Sequence, residues 1–320
     1  MTLIEWTEAT WNPIVGCSLV SPGCTNCYAM RQAVRLSHNP ATPQYHGTVT
    51  SSKAGPVWTG RVNIAGERVV RAPLGRRKPT AWFVNSMGDL FHENIPTAWI
   101  DRIFAVMALC PQHVFQVLTK RPRLMREYMR DPDAPARVAR WMAAEGGADR
   151  HPPWPPRNVW LGTSAEDQAR AAERIPALLE TPAAIRFLSC EPLLGGLDLA
   201  GLDALGPGEP RVHWVIAGGE SGPHARPLHP DWPRGLRDQC AATGTAFFFK
   251  QWGVWCPPDG TARGERRAVA RDGRAWPDGE APADADTAPM LRLNKARAGR
   301  TLDGAAWSQI PTTAEAPLEA

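Results

Sequence analysis

Six short, unbroken apolar runs constrain this chain most. They are Ala81–Asn85 (AWFVN), His113–Thr119 (HVFQVLT), Asn158–Thr163 (NVWLGT), Ala184–Ser189 (AIRFLS), Val212–Ala217 (VHWVIA) and Thr245–Lys250 (TAFFFK). Apolar runs of this length without polar alternation suit strands covered on both faces, as in parallel sheets. Helical patterns lie between them. Asn94-Ile95-Pro96 reads as a helix start, and Ile100, Ile103, Phe104, Met107 and Ala108 then form one apolar stripe. Ser164, with Asp167 three residues on, fits a capping box that opens the helix after the third run. Strand and helix alternate over units of about 25–45 residues, the signature of βαβ architecture. The predicted fold class is α/β, a full or partial (β/α) TIM-like barrel with parallel strands and one more strand near the N-terminus. A doubly wound open sheet is the alternative, because strand order is not written in a sequence.

At 320 residues the chain is long enough for one large domain with its own core. Residues 1–258 read as the barrel, with a Pro-rich insertion at about 131–157. Residues 259–320 read as a polar extension, a long or partly disordered loop over 259–290 whose final segment docks back on the barrel. No run of eighteen apolar residues exists, and MTLIEWTEATWNP lacks a signal-peptide layout, so a cytoplasmic protein without a membrane partner is expected. The net charge of +4 is compatible with a nucleic-acid or nucleotide substrate, although no concentrated basic stripe appears.

Seven cysteines without an export signal argue against a disulfide framework. Three cluster as Cys17, Cys24 and Cys27, spaced C-x6-C-x2-C, and Gly16, Pro22 and Gly23 make their segment a loop. Three thiolates around a [4Fe–4S] cluster leave one iron open, whereas four close it for electron transfer. An open iron can chelate S-adenosylmethionine, so that the cofactor carries the difficult bond cleavage. The rival is a zinc site with His38, His46 or Cys256 as a fourth ligand. The bland reading, three buried cysteines packing as small hydrophobes, is the least attractive in a Gly/Pro loop with polar neighbours.

The run IEWTEATWNPIVGC…PGCTNCYA resembles a phage- and prophage-associated three-cysteine-motif family related to radical SAM barrels of the spore photoproduct lyase type. The resemblance extends over roughly residues 3–256 and into the closing AGRTLDGAAW. The commonest radical SAM pattern spaces its first two cysteines by three residues, with an aromatic before the third. Here the gap is six, Asn26 holds the aromatic's place and Tyr28 follows. The resemblance implies a radical SAM enzyme with a [4Fe–4S] cluster on Cys17, Cys24 and Cys27 and S-adenosylmethionine beside it. It also implies an external electron donor, a nucleic-acid or nucleotide substrate and a genetically linked partner protein.

Active-site groups of (β/α) barrels gather at the C-terminal ends of the strands. All six runs end in polar residues, on a rim expected to face the cysteine loop. By resemblance, Met87, Gly88 and Asp89 take the place of a stretch that contacts the SAM amino group, with Tyr28 beside the cluster. Ser164 and Glu166 are candidates for the SAM ribose. Lys120, Glu191, Glu220 and Lys250 are candidates for SAM's carboxylate or the substrate. Cys190, at a strand end, is a candidate hydrogen-atom donor like that of the lyases. Each has a plainer reading: Ser164 as a helix N-cap, Glu191 as a first-turn carboxylate, Gly218-Gly219 as a turn, Cys190 as core. Two other functional classes stand beside the enzyme: a zinc- or cluster-stabilised binding or partner protein of phage origin without turnover, and a cluster-free barrel hydrolase using the carboxylates.

Overall fold

The computed structural model describes residues 4–53, 55–147, 152–260 and 262–311. At its centre seven strands lie side by side in chain order: β1 (Ala9–Trp11), β2 (Ala81–Val84), β3 (Val114–Thr119), β4 (Val159–Ser164), β5 (Ile185–Cys190), β6 (Trp214–Gly218) and β7 (Ala246–Gln251). Every ladder is parallel, with registers such as Thr10↔Phe83, Phe115↔Val159, Gly162↔Phe187 and Val215↔Phe247. Each of the six apolar runs is a strand of this sheet. A doubly wound sheet reverses its strand order at a switch point. This one never does, and that excludes the doubly wound alternative.

Trp6 shows how strongly the sheet curls. Its ring centroid lies 4.7 Å from that of Phe83 on β2 and 6.0 Å from that of Trp214 on β6. In a flat sheet those strands would stand roughly 19 Å apart. Among the described residues β1 and β7 share no ladder, so the sheet is an open, curled half-barrel.

The two faces of the sheet pack differently. Inward side chains, among them Phe83, Trp160, Phe187, Trp214, Ile216 and Phe248, form a small aromatic plug around Trp6. Gly162 makes room for it, because a Cβ there would come 2.6 Å from the Phe187 ring. Outward residues such as Val84, Val117, Leu161, Leu188 and Val215 join the larger core under the helices. Those helices include α1 (Tyr28–Ser37), α2 (Thr97–Ala108), α3 (Pro122–Arg130), α4 (Ala134–Ala144), α5 (Gln168–Leu179) and α6 (Asp231–Thr243). Helix α2 follows Pro96 as predicted and buries Ile100, Ile103, Phe104 and Met107. Helix α5 corrects the capping-box reading. Its N-cap is Asp167, whose side chain accepts from the Arg170 amide at 2.8 Å, while Ser164 stays inside β4.

Two expectations about the connections change. The segment 131–157 holds α4, which packs on α2, and Trp154, whose ring meets Phe104 at 5.6 Å; residues 148–151 of it lie outside the described residues. The supposed loop 259–290 carries strands of a small sheet: β8 (Trp255–Cys256), β9 (Arg266–Ala270), β10 (Ala275–Pro277) and β11 (Thr287–Arg292) pair antiparallel in the order β8-β11-β9-β10, with turns between them. Apart from Trp255 and Cys256 of β8, only Val269, Ala270, Met290 and Leu291 of its strands are buried, too few apolar positions to stand out in an Arg- and Asp-rich stretch. Beyond it the chain runs along β7: the Phe249 amide donates to Trp307 O at 3.0 Å and the Gln309 amide to Phe247 O at 3.1 Å. That pairing covers a sheet edge otherwise open to association.

Candidate active site

The cysteine loop is laid across the C-terminal ends of the strands and tied to them at three places. Ile14–Val15 pairs with Asn63–Ile64, and the chain then turns at Gly16 with φ +97°. A side chain there would meet Arg61 O at 2.1 Å, so only glycine fits. The Gly16 amide donates to Met87 O at 3.1 Å, which brings Cys17 to the end of β2. Gly88 permits this approach, since a Cβ on it would come 3.0 Å from Gly16 O. The second tie is Gly23, whose amide donates to Glu166 Oε1 at 3.2 Å beyond β4. The third is Asn26, whose Nδ2 donates to Glu220 Oε2 at 3.0 Å and to His224 O at 2.8 Å beyond β6. Cys27 then precedes α1.

Between loop and sheet lies a cavity of about 270 Å³, floored by Trp6, Phe83 and Leu118. Of the predicted site residues, Cys17, Cys24, Cys27, Tyr28, Gly88, Asp89, Lys120, Ser164, Glu191, Glu220 and Lys250 all line it. The Tyr28 hydroxyl donates to Ser86 O at 3.0 Å. Lys120 Nζ donates to Ser164 Oγ at 3.0 Å, from the far side of the cavity Lys250 Nζ pairs with Glu191 Oε2 at 2.5 Å, and Trp6 Nε1 donates to Glu191 Oε1 at 3.0 Å.

Three predicted residues lie elsewhere. Cys190 is fully buried in the core beneath the helices, next to Leu188 in parity, and burial holds its thiol well above the ordinary range. Ser189 is the residue of that strand end that faces the cavity. A hydrogen-atom donor at position 190 would point away from the cysteine loop, so that expectation is withdrawn. Glu166 is buried and committed to the Gly23 amide and to Arg174 at 3.0 Å, so it anchors the loop instead of offering oxygens to a ribose. Met87 packs under Cys17 and Cys27 and contributes its carbonyl to Gly16.

Asp89 also differs from expectation. It lines the cavity, but its carboxylate already accepts from the Phe91 amide at 3.0 Å, Thr119 Oγ1 at 2.6 Å, the Lys120 amide at 3.1 Å and Arg121 Nη1 at 3.1 Å. Four donors leave no free lone pair directed at an incoming ammonium. Its evident work is to hold Arg121.

Arg121 is the residue that sequence reading passed over. Its guanidinium donates to Asp89, to Glu93, to Ser18 Oγ at 2.6 Å and, through Nη1, to Cys17 Sγ at 3.8 Å. The signal available was its place directly after Lys120 at a strand end. Asn85, Ser189 and Gln251 were missed as well. Asn85 Nδ2 and Gln251 Oε1 are buried in a wall of the cavity with no hydrogen-bond partner among the described residues.

The loop thiols are half-buried and sit among charges. Burial, and then the Asp89 carboxylate, push the Cys17 thiol up to about 12, against the pull of Arg121. Burial raises Cys27 too, with Lys120 pulling the other way. Among the described residues no three His, Cys, Asp or Glu side chains converge where a single metal ion would bind. Tetrahedral zinc needs such convergence. Cys256, one proposed fourth ligand, is instead buried in β8 with its thiol toward Leu291 O. An iron–sulfur cluster asks for something else, because each thiolate takes a different iron. Three thiols lining one cavity, with Arg121 beside Cys17 and Lys120 near Cys27, are a donor set that fits it.

No curated protein matches the chain, and no solved structure does. Residues 1–311 match the family described as "Protein of unknown function (DUF5131)". With nearly the whole chain matched, loop, half-barrel and C-terminal sheet included, the protein belongs to that family.

Proposed function

We propose that this protein is a radical SAM-type enzyme, holding a [4Fe–4S] cluster on Cys17, Cys24 and Cys27 and S-adenosylmethionine in the cavity beneath them. One observation carries the reading: three thiols share a single cavity with the polar ends of the parallel strands. When bound, the cluster would supply the electron that splits the sulfonium of S-adenosylmethionine, drawn from an external donor. The chain's own residues bind and orient. Arg121 and Lys120 place positive charge beside thiolates that burial alone would keep protonated. Lys120 and the Lys250–Glu191 pair offer opposite charges to a zwitterionic ligand from two sides. Trp6 and Phe83 close the cavity from below and keep water out of the barrel interior. Asn85 and Gln251 offer one unused donor and one unused acceptor to whatever fills it. A nucleic acid or nucleotide is the substrate class we favour, on the net charge of +4 and the lyase resemblance of the motif.

The test is anaerobic reconstitution with iron, sulfide, a reductant and S-adenosylmethionine. A brown protein with about four irons per chain that releases 5′-deoxyadenosine is expected. A colourless protein, or one that stays active after Cys17→Ala, Cys24→Ala and Cys27→Ala, would remove the proposal. Colour without 5′-deoxyadenosine would leave a cluster-stabilised binding protein.

A further inference from the structure

A second cleft, of about 740 Å³, opens beside the cysteine loop between the half-barrel and the small antiparallel sheet. Pro22 of the loop and Arg226 form the wall it shares with the cavity: Arg226 donates to Pro22 O at 2.9 Å and pairs with Glu220, which lines the cavity. Arg267, Arg274 and Arg292 line the cleft from β9, the turn into β10 and β11. The fold thus gathers, from residues spread over 226–292, a basic cluster that the linear sequence does not display.

The chemistry of these arginines suits phosphate. The Arg267 and Arg292 guanidiniums lie 5.4 Å and 5.6 Å from the ring of buried Trp255, which holds their planes in place. Both share one carboxylate, Glu265, at 3.1 Å and 2.9 Å, leaving a surplus of positive charge. Arg274 pairs with Asp272, but both are mostly exposed, and such a pair is worth only about 0–1 kcal/mol. Asp167, the other acid of the lining, accepts from the Arg170 amide and its charge offsets that surplus, so what the cleft offers is directed guanidinium donors and not net positive charge. Arg292 Nη2 also donates to Pro223 O, so a phosphate would take chiefly the remaining N–H groups of Arg267 and Arg274, in bidentate fashion. The lining tryptophans, Trp232 and Trp255, are 5% and 1% exposed, so recognition here is of the backbone and not of stacked bases.

We propose that this cleft binds the phosphates of a single nucleic-acid strand whose reacting unit enters the neighbouring cavity. The identity of the substrate unit rests on the radical SAM reading; the binding does not. The full chain is titrated into fluorescently labelled single-stranded DNA and RNA, and anisotropy is followed at several salt concentrations. Arg267→Gln, Arg274→Gln and Arg292→Gln combined are compared with Arg126→Gln, Arg130→Gln and Arg170→Gln, which remove the same charge, also ion-paired, from α3 and α5. The cleft variant should bind at least tenfold more weakly, with the slope of log K against log salt shallower by about 0.7 per arginine lost, while the control changes less than about twofold. Unchanged melting of both variants shows that neither is unfolded. Equal losses in the two variants, no binding by the parent chain, or displacement by polyglutamate as readily as by oligonucleotide each overturn the assignment. Release of 5′-deoxyadenosine, measured without any oligonucleotide, reports separately on the cavity. Failure there with binding intact removes the enzymatic reading and leaves the cleft.

Discussion

The two faces of the same seven strands do different work. The outward face stays apolar to the ends of β5 and β6, with Leu188 and Cys190, Val215 and Ala217, while on β3 and β4 it ends in Thr119 and Thr163, whose hydroxyls donate to Asp89 and to Thr119 O. The inward face is apolar only halfway. Trp160 gives way to Ser164, Phe187 to Ser189 and Phe248 to Lys250, and there the cavity begins. A helix-covered face has no solvent to meet, so a polar group there must bond within the protein. The mouth of a half-barrel, covered by a loop, can hold polar groups that face one another. Neighbouring residues on one strand can therefore have unrelated fates, as Ser189 and Cys190 do.

Cysteine replacement tests that contrast with the largest effect. Cys17→Ala, Cys24→Ala or Cys27→Ala should each abolish cluster loading and 5′-deoxyadenosine formation, measured as iron content and product. Cys190→Ala, on the outward face, should keep both and lose about 1 kcal/mol of stability through a small core cavity. Loss of loading in Cys190→Ala would show that the two faces communicate more than their packing suggests.

How much of this was legible beforehand follows from the same parity. The six long strands stood out because both faces are apolar, which gave runs such as AFFF and VHWVIA. That same property hid which parity faces the cavity, so Cys190 was placed on the wrong side and Ser189 overlooked. Asp89 and Glu166 were rightly read as strand-end carboxylates, but their partners, Arg121 and Gly23, lie 32 and 143 residues away. The loop itself was legible, since Gly16, Pro22 and Gly23 announce turns. The small sheet was not, because after β8 its burial rests on four residues among charged neighbours.

Inward packing supplies the next test. Trp214→Ala empties the centre of the aromatic plug, where Trp6, Trp160, Phe187 and Phe248 all meet it within 6.1 Å. A loss of about 3–5 kcal/mol is expected by denaturant titration. A loss under about 1 kcal/mol would mean that the half-barrel interior is held by its strands and not by its filling.

Glu166→Gln separates anchoring from catalysis. The substitution keeps shape but leaves buried Arg174 without its carboxylate, at a cost of about 3 kcal/mol. Because the same carboxylate accepts from Gly23, loading of the cluster should become slow and incomplete, while the affinity of loaded protein for S-adenosylmethionine stays unchanged. A fall in that affinity instead would return Glu166 to the ligand.

Arg121→Met removes the guanidinium from Cys17 Sγ. Hydrogen bonds to cluster sulfurs favour the reduced, more negative state. The midpoint potential, read by electron paramagnetic resonance in a mediated titration, should move to more negative values. About 60 mV corresponds to a tenfold change for a one-electron couple. An unchanged potential would reduce Arg121 to a brace for Glu93 and Ser18.

The smallest effect concerns protons in the chain without a cluster. Cys17 keeps its proton up to about 12, against 9.0 for an ordinary thiol, chiefly because burial disfavours the thiolate. Above pH 9 the unfolded chain therefore binds fewer protons at this group than the folded one, and stability must fall with rising pH. The contribution is complete below pH 9 and lost as pH approaches 12. Melting temperatures of cluster-free protein should thus decline more steeply between pH 9 and 11 than those of Cys17→Ala. Loading works in the opposite sense, since a thiol must give up its proton to bind iron, so cluster assembly should become faster as pH rises over the same range. Parallel pH profiles for parent and Cys17→Ala would show that the thiol at the end of β2 meets water freely, contrary to its position under the loop.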